Sequence, residues 1–225
     1  MQKSIRVAVA AAAVLILAGC GSVNSTLAKR HETVEHYHVF QVKTRATTDA
    51  VIKATADGLA RNTNSVVQNR PLQMGAKVPE TAGRFQLVDP AAALGGTSLG
   101  AIMAIQGGAG ASIPRVAKCD GAVWTSRANR SVSGSDNLTL YTCIYRYKDG
   151  YELNMYAVFQ KASGGLSGLA RDAVASAIGS PEEWTNKTIL DMARSVESAT
   201  GAKVEYVEGQ PEIGAVPKVD QLTQR

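Results

Sequence analysis

The pentapeptide Gly96-Thr97-Ser98-Leu99-Gly100 has the residue types and spacing of a nucleophile elbow, whose glycines permit the tight strand-to-helix turn that exposes a serine hydroxyl for acyl transfer. In an α/β-hydrolase the acid and then the histidine follow that serine, yet no histidine follows Ser98. The preceding Ala91-Ala92-Ala93-Leu94 is also poor in strand formers. A serine hydrolase using Ser98 therefore ranks below a binding role, and no catalytic residue is assigned. The chain's histidines are His31, His36 and His38. The last two fall on one side of a strand, with Glu32 and Glu35 near in sequence. A tight metal site takes three or four ligands in fixed geometry, and His31, Glu32 and Glu35 sit in a stretch without periodicity, so no metal is expected. A thiol nucleophile at Cys119 or Cys143 has no local histidine to activate it. Neither a phosphate-cradling glycine loop nor a carboxylate-pair motif occurs, so no cofactor is expected.

Two stretches suggest binding instead of catalysis. Residues 90–114 form a run of 25 without a charge or an aromatic, containing six glycines and bounded by Pro90 and Pro114. Ala92, Gly96, Gly100, Ala104, Gly108 and Ser112 recur in it at four-residue spacing, but in so small-residue-rich a stretch the register is readily produced by chance. A run this long without a charge is the leading candidate for a contact surface, with Leu94, Gly96, Gly100, Ile102, Met103 and Ile105 as its candidate residues. In order of preference it reads as a mobile loop or short helix, which could serve as a lid, as a membrane- or partner-inserting hairpin, or as a buried core helix. Directly after it, Arg115, Lys118, Arg127 and Arg130 surround Asp120, the one acid between 115 and 135, with Trp124 among them. If they converge, they offer a site for an anionic head group or glycan.

The elements that must position these residues are readable from periodicity. Residues 36–43 have strand composition, and Thr47, Thr48 and Asp49 offer a helix start before Val51, Ile52, Thr55, Ala56, Leu59 and Ala60, one helical face. Short strands are expected at 65–69 and 84–88. Longer ones are expected at 122–128, 138–148 and 151–160, the last two joined through the turn dipeptide Asp149-Gly150. Tyr141, Cys143, Tyr145 and Tyr147 share one strand face. A helix is expected over 166–178 with Gly179 as its stop. Ser180-Pro181-Glu182-Glu183 then supplies the N-cap, first-turn proline and capping-box glutamate of a second helix, burying Trp184, Ile189, Met192, Ala193, Val196 and Ala199 and ending at Gly201. A last strand is expected at 203–208. This order predicts an α+β fold, a mainly antiparallel sheet with helices packed on one face, and it bears a general likeness to helix-grip modules, including those in lipoproteins of the outer-membrane assembly machinery.

The N-terminus has Lys3 and Arg6, an apolar run from Val7 to Leu17, and then Leu17-Ala18-Gly19-Cys20. This resembles the signal peptide and lipobox of bacterial lipoproteins. Eleven apolar residues are too few to span a bilayer core, which takes about 20. The resemblance implies cleavage before Cys20, palmitate-type acylation of that cysteine, and a membrane-held exported protein. Gly21, in place of the aspartate that retains enteric lipoproteins in the inner membrane, implies the outer membrane, facing the periplasm. Loss of Lys3 and Arg6 with the signal leaves a net charge of only +3 in place of +5. Export removes nucleic acid as a partner. It also implies an oxidising compartment, in which Cys20 is consumed by lipid and Cys119 and Cys143 pair as a disulfide.

The expected organisation is a signal peptide at 1–19, a lipidated tether at 20–35, one α+β domain at 36–208 with the insertion 90–114, and a polar tail at 209–225. The expected function is non-enzymatic: a lipid-anchored envelope protein that binds another envelope component in assembly, scaffolding or maintenance. The alternative is a module holding a lipid or other amphipathic ligand between the sheet and the two C-terminal helices.

Overall fold

The computed structural model describes residues 30–72, 77–90, 114–131, 137–163 and 179–216. In chain order its elements are β1 (Arg30–Lys43), α1 (Thr48–Ala60), β2 (Ser65–Asn69), β3 (Gln86–Val88), β4 (Val116–Lys118), β5 (Trp124–Ser131), β6 (Asn137–Tyr147), β7 (Gly150–Ser163), α2 (Pro181–Thr200) and β8 (Val204–Gln210). Six strands form one antiparallel sheet in the order β2-β5-β6-β7-β1-β8, and β3 pairs with β4 in a separate ribbon.

The alternation of the long strands decides which face the helices cover. Phe40 and Val42 of β1, Leu140 and Ile144 of β6, and Leu153, Met155 and Phe159 of β7 point one way, into a core shared with Val51 and Leu59 of α1 and Ile189, Met192 and Val196 of α2. The fold is therefore α+β, an antiparallel sheet with its described helices on one face. On the other face Cys143 and Tyr145 pack with Ala122, Cys119, Ala82 and Phe85.

Both described helices begin where their caps predict. Thr47 Oγ1 accepts the Ala50 N–H at 3.3 Å. Ser180 Oγ accepts the Glu183 N–H at 3.2 Å, and the Glu183 carboxylate accepts the Ser180 N–H at 2.8 Å, so the capping box closes in both directions. Gly201 ends α2. The buried faces differ from expectation. In α1, Ala54 and Gly58 are buried while Ile52 and Ala56 are only half-buried and Ala60 is exposed. In α2, Trp184 is half-buried and Ala199 exposed, while Thr185, Thr188, Asp191 and Ser195 are buried. The reason is that α1 packs directly on α2. Asn62 Nδ2 and Lys187 Nζ donate to Asp191 Oδ2 at 2.9 and 2.6 Å, and Thr185 and Thr188 satisfy their hydroxyls on carbonyls one turn back.

Gly58 sits at the helix crossing, where a Cβ would lie 2.6 Å from the Asp191 carbonyl oxygen and 2.7 Å from Met192 Cα. Both obstacles are backbone, so they cannot turn aside. Gly58→Val is expected to destabilise the fold by about 1 to 3 kcal/mol or more, read from urea unfolding. An unchanged midpoint would mean that the helices separate without cost.

Several bounds depart from the sequence reading: β3 begins at Gln86 instead of 84, β5 spans Trp124–Ser131 instead of 122–128, and β7 runs on to Ser163. Residues 30–35, expected as tether, continue β1, with Arg30 paired to Ser163 and Glu35 to Val158; the long partner β7 supplies the pairing that local composition did not reveal. Tyr147 pairs with Gly150, so the two-residue turn is Lys148-Asp149. Gly150 belongs to the strand, where a Cβ would meet the Val42 carbonyl oxygen at 2.1 Å. β4 is an additional element. β8 extends to Gln210, which takes Gly209 and Gln210 from the expected tail into the sheet. The expected helix at 166–178, the N-terminal 29 residues, the insertion residues 91–113 and the tail from 217 lie outside the described residues. No described helix is long and apolar enough to cross a membrane.

Candidate functional site

The two ends of the uncharged segment meet on the sheet face opposite the helices. Val88 of β3 stands against Val116 of β4, so Pro90 and Pro114 emerge side by side from a paired stem. That stem is tied to the sheet covalently, because Cys119, one residue beyond β4, is bonded to Cys143 of β6 with their Cα atoms 5.8 Å apart. The disulfide expected from cysteine parity is present.

Polar contacts seat the same region. Arg84 bridges Glu152 (3.1 Å) and Glu208 (3.0 Å), Asn154 Nδ2 donates to Glu152 at 2.9 Å, and Asn154 Oδ1 accepts the Phe85 N–H at 3.3 Å. Asn154 and Glu152 are buried, so this network holds 84–85 against the strands at a site where unpaired groups would be costly. Beside it, Arg115 forms a bidentate ion pair with Glu35, and the Tyr156 hydroxyl donates to Glu35 Oε1 at 2.8 Å. The Arg115 guanidinium holds the Glu35 carboxyl below its ordinary range against the opposing effect of burial. Burial, and then the bond to Glu35, push the Tyr156 hydroxyl up. Tyr141 stacks on Tyr156 with centroids 5.9 Å apart, and Phe85 adds a ring 6.3 Å from Tyr156.

Arg115 of this cluster lines both of two open grooves, and Glu35 and Tyr156 line the second. One, about 410 Å³, is lined by Pro90, Pro114, Arg115, Arg127, Tyr141 and Val158. The other, about 480 Å³, is lined by Glu35, Tyr37, Leu87, Arg115, Tyr156 and Pro211. Both adjoin the base of the stem. Where the sheet meets α1 and α2, the described part of the interface is filled by Leu140, Ile144, Leu153, Met155, Ile189 and Met192, all fully buried.

The four cations expected to form one anion site do not converge. Arg115 and Arg127 share the first groove, with Arg127 lying 5.9 Å over the Tyr141 ring. Lys118 pairs with Asp120 at 2.6 Å. Arg130 is three residues from Arg127 and so takes the opposite face, its guanidinium 3.7 Å over the Trp184 ring of α2. Strand alternation, invisible in a count of charges, separates them.

His36 and His38 do share a face, but it is the helix-side face and both are buried. His36 packs on Phe159 with centroids 5.4 Å apart, and His38 Nδ1 lies 3.3 Å from the Tyr206 hydroxyl. Among the described residues no group of three or more His, Cys, Asp or Glu stands close enough to hold a metal ion. Tyr156, Glu152 and Asn154 were not singled out from sequence, and Glu35 was weighed only as a metal ligand. The signal of these three was present in the alternation of Glu152, Asn154 and Tyr156 with Leu153, Met155 and Ala157, a polar face on a stretch buried from 150 to 159. Cys20, Ser98, Leu94, Gly96, Gly100, Ile102, Met103 and Ile105 lie outside the described residues. No known protein family, no curated protein and no solved structure matches this chain.

Proposed function

We propose that this chain is a lipid-anchored, non-enzymatic protein of the bacterial outer membrane that faces the periplasm and binds another envelope component through residues 90–114. The observation that carries this reading is the fixed stem: 25 consecutive uncharged residues have both ends held side by side, on a disulfide-stapled ribbon flanked by two grooves. Anchoring at Cys20 rests on the lipobox resemblance. With β1 starting at Arg30, the residues 21–29 between lipid and sheet reach about 30 Å at most, which keeps the domain close to its membrane.

Replacing 91–113 by a short Gly/Ser turn tests the contact role. The β3–β4 ribbon is then closed by a shorter loop, which gains on the order of 1 to 2 kcal/mol of closure entropy, so stability is expected to stay level or rise slightly. In-cell crosslinks to the partner and complementation of a null strain are expected to disappear. Unfolding on replacement would show that the segment is core, and full complementation would show a spacer. In the same cells Cys20→Ala is expected to accumulate as uncleaved precursor without palmitate label; retained label would overturn the anchor.

A further inference from the structure

The two edges of the six-stranded sheet are treated differently. β8 carries Glu205 and Glu208, has a register shift opposite Val39 and Phe40, and is followed by Pro211, the devices that keep a free edge from pairing. β2, Ser65-Val66-Val67-Gln68-Asn69, has none of them. It holds no charge and no proline, its register with β5 is continuous, and Val67 is 66% exposed. Among the described residues no strand pairs with its outer side.

The chain leaving this edge runs straight into a groove of about 450 Å³ lined by Arg70, Leu72, Lys77, Val78, Val123 and Arg146, with Thr48 and two prolines completing it. No acid lines it. Arg70 is paired with Asp49 at 2.5 Å, whereas Lys77 and Arg146 have no acidic partner among the described residues. Leu72 is 89% and Val78 44% exposed, so apolar surface stands beside the free cations.

From this we infer that the β2 edge and the groove at its end form a second interaction site, which takes an extended acidic polypeptide segment of a partner protein as an added strand. Main-chain bonding to β2 supplies the docking, apolar side chains cover Val67 and Leu72, and carboxylates reach Lys77 and Arg146. The site goes beyond the contact role of 90–114 and uses that proposal only for the anchor. The groove lies at the Lys43 end of β1, about 43 Å along the strand from Arg30, where the anchored chain enters. This orientation favours a periplasmic polypeptide over the head groups of the anchoring leaflet.

The test uses the full chain in detergent and capped seven-residue peptides of alternating Glu and Val, followed by fluorescence anisotropy. The Glu/Val peptide is expected to bind at least about tenfold more tightly than its Lys/Val counterpart and to weaken with salt. N-methylation of alternate peptide amides is expected to cost about tenfold or more, because it removes strand pairing. Lys77→Glu with Arg146→Glu, both at exposed positions, is expected to reverse the charge preference while leaving the melting temperature in place. Four results would overturn the inference: no binding of the acidic peptide, equal occupancy by free glutamate, insensitivity to N-methylation, or binding only of anionic phosphatidylglycerol vesicles. Self-association of the free chain through β2, seen by sedimentation and abolished by Val67→Lys, would also overturn it in favour of a second copy. The protein lacking 91–113 is expected to bind the peptide unchanged, so failure here and failure of the 90–114 contact are separable.

Discussion

Cys119→Ser combined with Cys143→Ser is expected to cost about 3 to 4 kcal/mol of stability, the chain-entropy value for a bridge of sequence separation 24. For a chain of this size that is a fall of about 10 °C in melting temperature. The loss has a second, local component. Cys119 follows β4 directly, and β4 pairs only with the three-residue β3 in the described structure, so the bridge is the cross-link that adds to the main chain in holding the stem on β6. Amide exchange at 116–118 is expected to accelerate more than exchange in β6 or β7. Protein purified under alkylating conditions with both thiols free and an unchanged melting temperature would refute the assignment. If the stem presents 90–114 to a partner, the same double variant is expected to weaken partner crosslinks before it unfolds the core.

Acidification from neutral pH to about 4.5 is expected to remove stability in a step that belongs to His36 and His38. Burial lowers both, His38 to about 4 with a further contribution from the neighbouring His36 charge, while Glu182 partly opposes the shift at His36. The elements packed around the pair offer Phe159 from β7, Tyr206 from β8 and Glu182 from α2, and His36 Nδ1 and His38 Nε2 have no hydrogen-bond partner among the described residues. A histidine whose folded value lies below its unfolded value of 6.5 contributes stability that is complete above 6.5 and lost as pH falls toward the folded value. For His38 alone the loss is on the order of 3 kcal/mol. The carboxylates that are lowered, Glu35, Glu182 and Asp191, have ordinary values of 4.5 or 3.8 and so lose their contribution only at still lower pH. The interval between 6.5 and 4.5 therefore isolates the histidines. His38→Gln is expected to flatten the urea midpoint across it; an equally steep fall in the variant would place the acid sensitivity elsewhere.

Features encoded within one helical turn or along one strand were legible in the sequence. Thr47 and the Ser180–Glu183 box start their helices because a cap needs only its own N–H groups and a side chain three residues away. Residues 65–69 form a strand with the expected bounds, and Cys143 and Tyr145 share the expected face. The pairing of Cys119 with Cys143 followed from parity once Cys20 was assigned to lipid. The α+β class followed from element order.

What the tertiary structure decided, beyond the β6–β7 hairpin and the Cys119–Cys143 pair, was which distant segments face one another. Residues 30–35 look like linker until β7 provides fourteen partners along β1. Nothing local in α1 calls for a glycine at position 58; the backbone of α2 lies where its side chain would be. Four cations close in sequence look like one site, yet alternation and the Trp184 ring disperse them. Conversely, Glu35, Arg115 and Tyr156 are remote in sequence and form one cluster, and an edge strand and its basic groove acquire meaning only once the sheet order is known. Local signals act through backbone geometry over three or four residues, whereas strand partners, helix crossings and charge clusters are set by burial between distant segments, whose free energy depends on the assembled core.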